Sequence, residues 1–496
     1  MGSSISRVFE RTAPDPFVLA VLLTLVTAGL ALGLGDFPGK AEDASSAVYL
    51  LDAWRAGDGL WKFLAFGMQM CLVLVTGHAL AASGPVRALL GGLAGLPRSP
   101  AQAAAMVGLV SASFGLVNWG LGLIFGALLA RDVARSLEAR GVRAHYPLLA
   151  AAGYCAMAVF HGGLSGSAPL TMTSADGAAK VLPAGMLERF EGGVPLGETI
   201  FSPMNLVATA GLLVIVPAVL WLLTPGAGED VRTIGAYDDA RRHPEKAAPS
   251  PGHPQRDGED AVRAPRASEG GGPPARAGGS SEEGGTSSRS LPDWLHETPV
   301  LAWVLGLALL AGVWRYGSVS GLGRVGLNEI NALMLGLGLI LHGSTASYVR
   351  AVEDGAKGCA GVILQFPLYA GIMALLVSSG LVESFSAWLS ASAGETGLPL
   401  LTFVSAGVVN LFVPSGGGQW GIQGPIVLEA GASVGVPPGK LIMAVAYGDQ
   451  LTNLLQPFWA LPLLAITGVR AREIVGYTCV LMVSLAVWLG LVLVFF

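Results

Sequence analysis

Charge is scarce in this chain. Asp, Glu, Lys and Arg make up 13% of its 496 residues, against about 25% in an average soluble domain, so there are too few ionised side chains to solvate an ordinary globular surface. The formal net charge of −5 belongs mostly to loops and says little about nucleic-acid or acidic partners. Cysteine is nearly absent. Cys71, Cys155, Cys359 and Cys479 each lie inside an apolar run with no paired spacing, which argues against a disulfide framework or thiolate metal site and for small buried hydrophobes. Enzyme motifs are missing too: there is no P-loop, no H-E-x-x-H and no G-x-S-x-G in a strand-turn-helix context. Gly321 to Gly326, GLGRVG, fits G-x-G-x-x-G, but it falls in a short loop with no preceding strand and is no dinucleotide site. We therefore expect no enzyme, no resident cofactor and no nucleic-acid partner.

What is present is apolar length. Hydrophobic residues reach 52% and the mean hydropathy is +0.60, which places the chain in the lipid bilayer as an all-α polytopic membrane protein. The run Phe17 to Gly35 follows Arg7 and Arg11, is too long for a signal-peptide core, and reads as a retained first span. MGSSISR matches a myristoylation pattern at the level of chance. Further apolar runs lie at Leu60 to Ala82, Ala101 to Ala130, Pro147 to Leu170, Phe201 to Leu223, Pro299 to Trp314, Leu327 to His342, Cys359 to Ser379, Lys440 to Thr467 and Ile474 to Phe496. Between them, residues 225–292 are rich in Gly, Pro, Ser, Arg and Glu, too polar to offset their own ordering entropy, and are expected to form a disordered cytoplasmic linker.

One apolar stretch is broken where a break costs most. In Val409 to Gly431, VNLFVPSGGGQWGIQGPIVLEAG, the sequence Pro414-Ser415-Gly416-Gly417-Gly418 interrupts a membrane-grade run. Backbone at that depth must be buried in protein or line a polar cavity. The run Leu398 to Val413 is shorter than the roughly 20 residues a span needs, so about 398–431 reads as a re-entrant hairpin. Ala101 to Ala130, interrupted at Asn118 and flanked on both sides by arginines, reads as a second one at about 101–134.

The halves also align with each other. Gln69 to Gly84 lies over Gln365 to Gly380, Asn118 over Asn410, and Tyr154 and Pro169 over Tyr447 and Pro462, at a steady offset of about 292 to 296 residues. This predicts about nine transmembrane helices plus two re-entrant hairpins in two inverted-topology repeats. Residues 1–224 form the first repeat, 225–292 the linker, 293–320 an extra connecting span and 321–496 the second repeat. With the N-terminus cytoplasmic and the C-terminus outside, most of the 29 Lys and Arg residues fall on the cytoplasmic side.

The candidate site residues follow from the breaks. Asp449, Thr452, Asn453 and Gln456 are spaced by three and four, which groups their oxygens on one helical face beside Gly448, Pro457 and Pro462. A carboxylate at membrane depth is a functional-site hypothesis by default; an interfacial position or a bond to a facing hairpin is the structural alternative. Ser165 and Ser167 lie among Gly162, Gly163 and Gly166 in the matching stretch of the first half. His161 could titrate or bond a carboxylate, although a single His in an apolar run is commonly a satisfied structural residue, and His78 reads the same way. Asn118 and Asn410 could cap half-helices or ligate an ion. Ser415, Gly416, Gly417 and Gly418 form the tip of the second hairpin. Asp449 and Asn453 are the expected Na+ ligands if sodium is the coupling ion; a proton carried by Asp449 is the alternative.

These features together describe a secondary transporter. LAFGMQMCLVLVTGHALA (64–81), NWGLGL (118–123), GGLSGSAPL (162–170), VPSGGGQWGIQGP (413–425) and AYGDQLTNLLQPFWALP (446–462) resemble the bacterial short-chain fatty acid transporter family, part of the wider ion transporter superfamily. The resemblance covers nearly the whole chain outside the linker. It implies a small monocarboxylate substrate such as butyrate or acetoacetate, ion-coupled symport across the bacterial cytoplasmic (inner) membrane, an elevator-like movement and a homodimer as a further expectation. Two departures stand out: a longer linker, and Gln419 after the triple glycine where some members have His. A cation/proton antiporter on the same scaffold is the alternative function, and a channel a weaker one.

Overall fold

In the computed structural model, residues 16–179, 181–182, 184–190, 193–226, 231–242, 291–321, 327–391 and 394–496 are described. Every regular element among them is helical. The first half contains α1 (Pro16–Leu34), α2 (Ser46–Arg55), α3 (Leu64–Ala82), α4 (Gly84–Ala94), α5 (Pro100–Val117), α6 (Trp119–Ala139), α7 (Tyr146–Gly153), α8 (Ser167–Thr171), the short α9 (Ala175–Ala179) and α10 (Ala184–Leu187), and α11 (Pro203–Leu222). After α12 (Ile234–Arg242) and α13 (Leu291–Glu297) come α14 (Pro299–Ser320), α15 (Leu327–His342), α16 (Thr345–Ala356), α17 (Ala360–Ser379), α18 (Leu381–Ala391), α19 (Gly397–Asn410), α20 (Gly416–Val434), α21 (Pro438–Thr452), α22 (Pro457–Thr467) and α23 (Ala471–Phe495).

The ends of these helices are written locally. Three start at a hydroxyl followed by proline. Ser99 Oγ accepts from Gln102 N–H (3.3 Å) at α5 and Ser202 Oγ from Asn205 N–H (3.2 Å) at α11, and Thr298 Oγ1 accepts from Val300 N–H at α14, with proline at the position whose N–H would have no helical partner. Glycines in the left-handed region stop α17 at Gly380 (φ +74°), α20 at Gly435 (φ +81°) and α22 at Gly468 (φ +76°).

Among the described residues, seven helical segments are long and apolar enough to cross a bilayer: Phe17–Leu34, Leu64–Ala82, Pro100–Val117, Pro203–Leu222, Pro299–Val319, Thr345–Ser379 and Ala471–Phe495. Three of the expected spans have no single long helix. The run 147–170 divides into α7, two 3-10 turns and α8; the run 440–467 divides into α21, the 3-10 turn Asn453–Leu455 and α22; and α15 has 16 residues. Conversely α5, expected as one arm of a hairpin, reaches span length by itself.

The expected interruptions are present. α5 and α6 pack along each other on either side of Asn118, which is extended (φ −157°, ψ 129°), and α19 and α20 flank the non-helical Leu411–Ser415. From α3 onward the first half runs long helix, short helix, interrupted pair, broken helix and long helix, and the order α17, α18, α19/α20, α21/α22, α23 repeats that sequence. The broken helices lie inside. α21 is buried throughout most of its length against α19, and Gly448 is what permits the approach, since a Cβ there would lie 2.2 Å from Phe403 O. Outer helices α1 and α14 leave most of their side chains uncovered by protein, as lipid-facing helices do.

One boundary needs correction. The linker expected from residue 225 contains a docked segment at 231–242. Tyr146 N–H donates to Arg232 O (2.9 Å), Arg135 pairs with Asp238 (3.0 Å), Thr233 Oγ1 donates to Glu138 Oε1 (2.6 Å), and Ile234 is buried. Composition averaged over a long window hides this short amphipathic piece. Residues 227–230 and 243–290 of the expected linker lie outside the described residues, as do the N-terminal stretch 1–15 and residues 322–326 of the GLGRVG loop.

Candidate functional site

The two broken helices meet at His161 and Asp449. His161 lies in the 3-10 turn Phe160–Gly162 of the first, and Asp449 lies near the end of α21 in the second. His161 Nε2 is 3.0 Å from Asp449 Oδ1, with the side chains 1% and 3% exposed. The tautomer follows from the other ring nitrogen. Ser167 donates its backbone N–H to His161 Nδ1 (3.1 Å), so Nδ1 is an acceptor without a proton and the hydrogen sits on Nε2, directed at the carboxylate. His161 N–H in turn donates to Gln450 Oε1 (3.2 Å). The sequence favours a structural role for His161, which lies in a 3-10 turn where helical spacing does not group residues, and gives no signal for Gln450, which is on α21 but off the face of Asp449.

Around Asp449 the expected polar face assembles. Asn453 Nδ2 donates to Asp449 Oδ1 (3.1 Å), and Asn410, the last residue of α19, donates through Nδ2 toward Asp449 O (2.8 Å), Thr452 Oγ1 (3.0 Å) and Asn453 Oδ1 (2.7 Å). Gln456 Nε2 donates to Asn410 O. Asp449, Thr452, Asn453, Gln456 and Asn410 thus form one connected cluster. Among the described residues, two buried oxygens in it, Asn410 Oδ1 and Gln456 Oε1, have no donor, and the buried amide Gln450 Nε2 has no acceptor. Buried polar groups without partners cost about 1–3 kcal/mol each, so these three atoms are placed to pair with a bound ligand, ion or water.

The tip of the second hairpin closes over this junction. A Cβ on Gly416 would lie 2.7 Å from His161 Cε1, 2.9 Å from His161 Nε2 and 3.0 Å from Ser167 Oγ, so bare backbone rests on the imidazole. Ser415 caps α20, its Oγ accepting from Gly418 N–H (3.2 Å), while Gly417 faces open space. Gln419 turns away into the hairpin, donating to Ala406 O (2.8 Å) and Gln423 Oε1 (2.7 Å).

The first hairpin supplies a separate contact. Asn118 caps α6 through Oδ1, which accepts from Gly120 N–H (2.9 Å) and Leu121 N–H (3.2 Å), and Ser165 Oγ accepts from Trp119 N–H (3.1 Å). Asn118 and Ser165 are therefore brought together at that tip, but no hydrogen bond among the described residues joins them to the Asp449 cluster. His78 lies elsewhere, 3.1 Å from Asp354.

Two tyrosines, matched in the internal alignment but given no role there, brace the breaks. Tyr154 OH lies 2.8 Å from Asn453 O and 3.1 Å from Gln456 O, carbonyls at the break after α21. Tyr447 OH donates to Asn205 Oδ1 (2.9 Å), and Asn205 Nδ2 donates to Gly162 O (2.9 Å) in the other break. Each broken helix carries the tyrosine that supports the opposite one. Among the described residues no group of three His, Cys, Asp or Glu side chains could hold a metal; the oxygens available to a cation here are amide, hydroxyl and carbonyl oxygens with one carboxylate.

Long apolar helices around a buried, broken, polar centre define a multi-pass membrane protein built for transport. The comparisons agree: the short chain fatty acid transporter family matches residues 1–242 and 281–496, and the chain belongs to that family. A protein of Escherichia coli (strain K12) whose name assigns it to short-chain fatty acid transport is 34% identical over 478 residues, 95% of this chain and 94% of its own. One of Haemophilus influenzae (strain ATCC 51907 / DSM 11121 / KW20 / Rd), named likewise, is 34% identical over 482 residues, 96% of each chain. Among solved structures, the Alcanivorax borkumensis YdaH transporter aligns with a TM-score of 0.42 at 18% identity, covering 96% of this chain and 98% of its own. Neisseria gonorrhoeae MtrF aligns at 0.37 and 15%, covering 98% and 97%.

Proposed function

We propose that the chain is a secondary active transporter that takes up short-chain monocarboxylates, such as butyrate or acetoacetate, across the bacterial cytoplasmic membrane by ion-coupled symport. The observation that carries the reading is the closure of the Gly416 backbone over His161 and Ser167, directly beside Asp449: a tip that rests on a buried polar junction can release it to one side of the membrane. The cluster contains no Lys or Arg. A carboxylate there is held by N–H groups, hydroxyls and amides, of which Gln450 Nε2 is already a buried donor in want of an acceptor, or by a bound cation. Asn410 Oδ1 and Gln456 Oε1, with Asp449, suit a hard cation such as Na+, which takes oxygen ligands. Asn453, the other expected ligand, presents its amide N–H to Asp449 and engages its oxygen with Asn410, so it would serve after a rotation of that amide.

The repeated order of elements, with α14 as an unmatched connecting helix, supports two inverted repeats; we propose that the N-terminus is cytoplasmic, the C-terminus outside, the hairpin domain moves as an elevator, and the protein assembles as a homodimer. A cation/proton antiporter is the second reading, favoured by the His161–Asp449 contact, because a buried carboxylate with an imidazole partner can exchange a proton. Uptake of labelled butyrate or acetoacetate into proteoliposomes, set beside cation-driven release of an imposed pH gradient, separates them. Carboxylate accumulation driven by an ion gradient supports symport; gradient release without carboxylate uptake overturns it.

A further inference from the structure

We infer that Arg472 marks a second carboxylate site, a release position on the cytoplasmic side beside the break of the second broken helix. A half-open cleft, about 440 Å³ with the open space at its mouth included, is lined by Leu19 of α1, by Tyr154, Gln456 and Pro457 around the break, and by Arg472 and Val475 at the start of α23. Three observations give it a ligand. Its walls are largely aliphatic with a single cation, the charge pattern of a small amphiphilic anion: guanidinium for the carboxylate, aliphatic surface for the short chain. Arg472 is half-buried and makes no ion pair among the described residues, whereas its neighbours Arg470 and Glu473 are joined to each other at the helix start, Glu473 Oε2 accepting Arg470 N–H at 2.7 Å. Finally the cleft shares two walls with the central cluster. Gln456 donates to Asn410 O and keeps a buried, unpartnered Oε1, and Tyr154 OH lies within hydrogen-bond distance of Asn453 O and Gln456 O.

A substrate held at Arg472 therefore sits one side chain away from the Asp449 junction, and rotation of Gln456 opens the way between them. Attraction by one guanidinium raises the local concentration of anion where the cluster itself has no basic residue. This assignment rests on the monocarboxylate reading above, and the test keeps the two apart.

The experiment is butyrate transport with substrate offered on the cytoplasmic face, by reconstituted wild type, Arg472→Gln, Arg472→Lys and Val475→Phe, with equilibrium binding of labelled butyrate to the same purified proteins. Arg472→Gln should raise KM about tenfold, the loss expected for one charge-assisted hydrogen bond, with kcat little changed and one of two binding equivalents lost. Arg472→Lys should restore much of the affinity. Val475→Phe, which fills the aliphatic wall and leaves the cation, should weaken butyrate more than acetate. Wild type with no butyrate transport or binding overturns the monocarboxylate reading. Normal wild-type transport with unchanged KM and stoichiometry in Arg472→Gln overturns this site alone. So does a defect seen only in bilayers containing anionic lipid, which would assign Arg472 to headgroups.

Discussion

His161 Nε2 and Asp449 Oδ1 lie 3.0 Å apart although 288 positions separate the two residues in the chain, so the contact fastens one broken helix to the other at the depth where both have lost regular hydrogen bonding. Its surroundings make the pair cooperative: Ser167 N–H fixes the ring from behind, and Asn453 shares the carboxylate from the side.

Removing the imidazole should therefore hurt more than removing an ordinary buried side chain. His161→Ala removes the imidazole N–H that Asp449 accepts and leaves only Asn453 on that oxygen, a loss of about 1.5–3 kcal/mol for a hydrogen bond to a charged group. We expect a lower thermal midpoint in detergent and loss of uptake. In a double-mutant cycle with Asp449→Asn the combined loss should be smaller than the sum, because the neutral amide no longer needs the ring. Additive losses would mean that the two residues act independently.

The polyglycine tip divides into a position that touches and a position that does not. Gly416→Val drives a branched side chain into His161 and Ser167, where even a Cβ has less than van der Waals room; uptake should fall to background with insertion into the membrane intact. Gly417→Val meets open space and should keep the folded protein intact and most of the uptake. Equal loss in both variants would show that Gly417 meets substrate directly.

Legibility in the sequence follows from where each residue sits. Asp449, Thr452 and Asn453 lie on or at the end of a regular helix, so their spacing of three and four is enough to place them on one face. Asn410 and Ser415 are legible as the edges of a break. His161 is not, because Phe160–Gly162 is a 3-10 turn in which helical spacing loses its meaning, and its partner lies in the other half of the chain. Gln450 is hidden for a related reason: it is one residue from Asp449 and so faces elsewhere on α21, toward the backbone of His161. The docked piece 231–242 escapes a composition reading because its anchors, Glu138, Tyr146 and Glu473, are contributed by three distant helices.

That docked segment gives a prediction about the linker. Arg232 Nη1 lies 2.9 Å from Glu473 Oε1 and Tyr237 OH donates to the same oxygen at 2.8 Å. Burial first, and then the neighbouring Glu473 carboxylate, push the Tyr237 phenol up, so it remains a donor across the physiological range. Deleting 245–288 should leave assembly and uptake nearly unchanged. Arg232→Ala with Tyr237→Phe should instead destabilise the folded protein by about 2–4 kcal/mol by stripping a mostly buried carboxylate of two partners, read as a lower thermal midpoint. Unfolded protein from the deletion alone would place a further essential contact within it.

Tyr154→Phe tests the brace at the second break. The substitution keeps the buried ring and removes one hydroxyl, leaving Asn453 O and Gln456 O without that donor at a cost of about 1–2 kcal/mol. Because those carbonyls position the side chains on either side of them, KM for butyrate and for the coupling ion should rise together while protein yield holds. A change in substrate affinity alone would confine the role of Tyr154 to the Arg472 cleft.

The coupling ion is decided at Asp449. Asn410 Oδ1 and Gln456 Oε1 are buried oxygens without donors, which favours Na+, while the His161 contact offers a route for a proton. Asp449→Asn keeps the size and one oxygen and removes both the charge and the titration. If sodium is the coupling ion, the variant should still show sodium-dependent uptake with a sodium KM raised by about tenfold or more, since a charged ligand is replaced by a dipole. If a proton is carried, the variant should lose gradient-driven accumulation while exchange of labelled for unlabelled substrate continues, because binding survives and the titrating group does not. Wild-type uptake measured with and without sodium at fixed pH and membrane potential decides between them independently of any variant: indifference to sodium ends the Na+ assignment, and the orphaned oxygens of Asn410 and Gln456 would then have to be ligands to substrate or water.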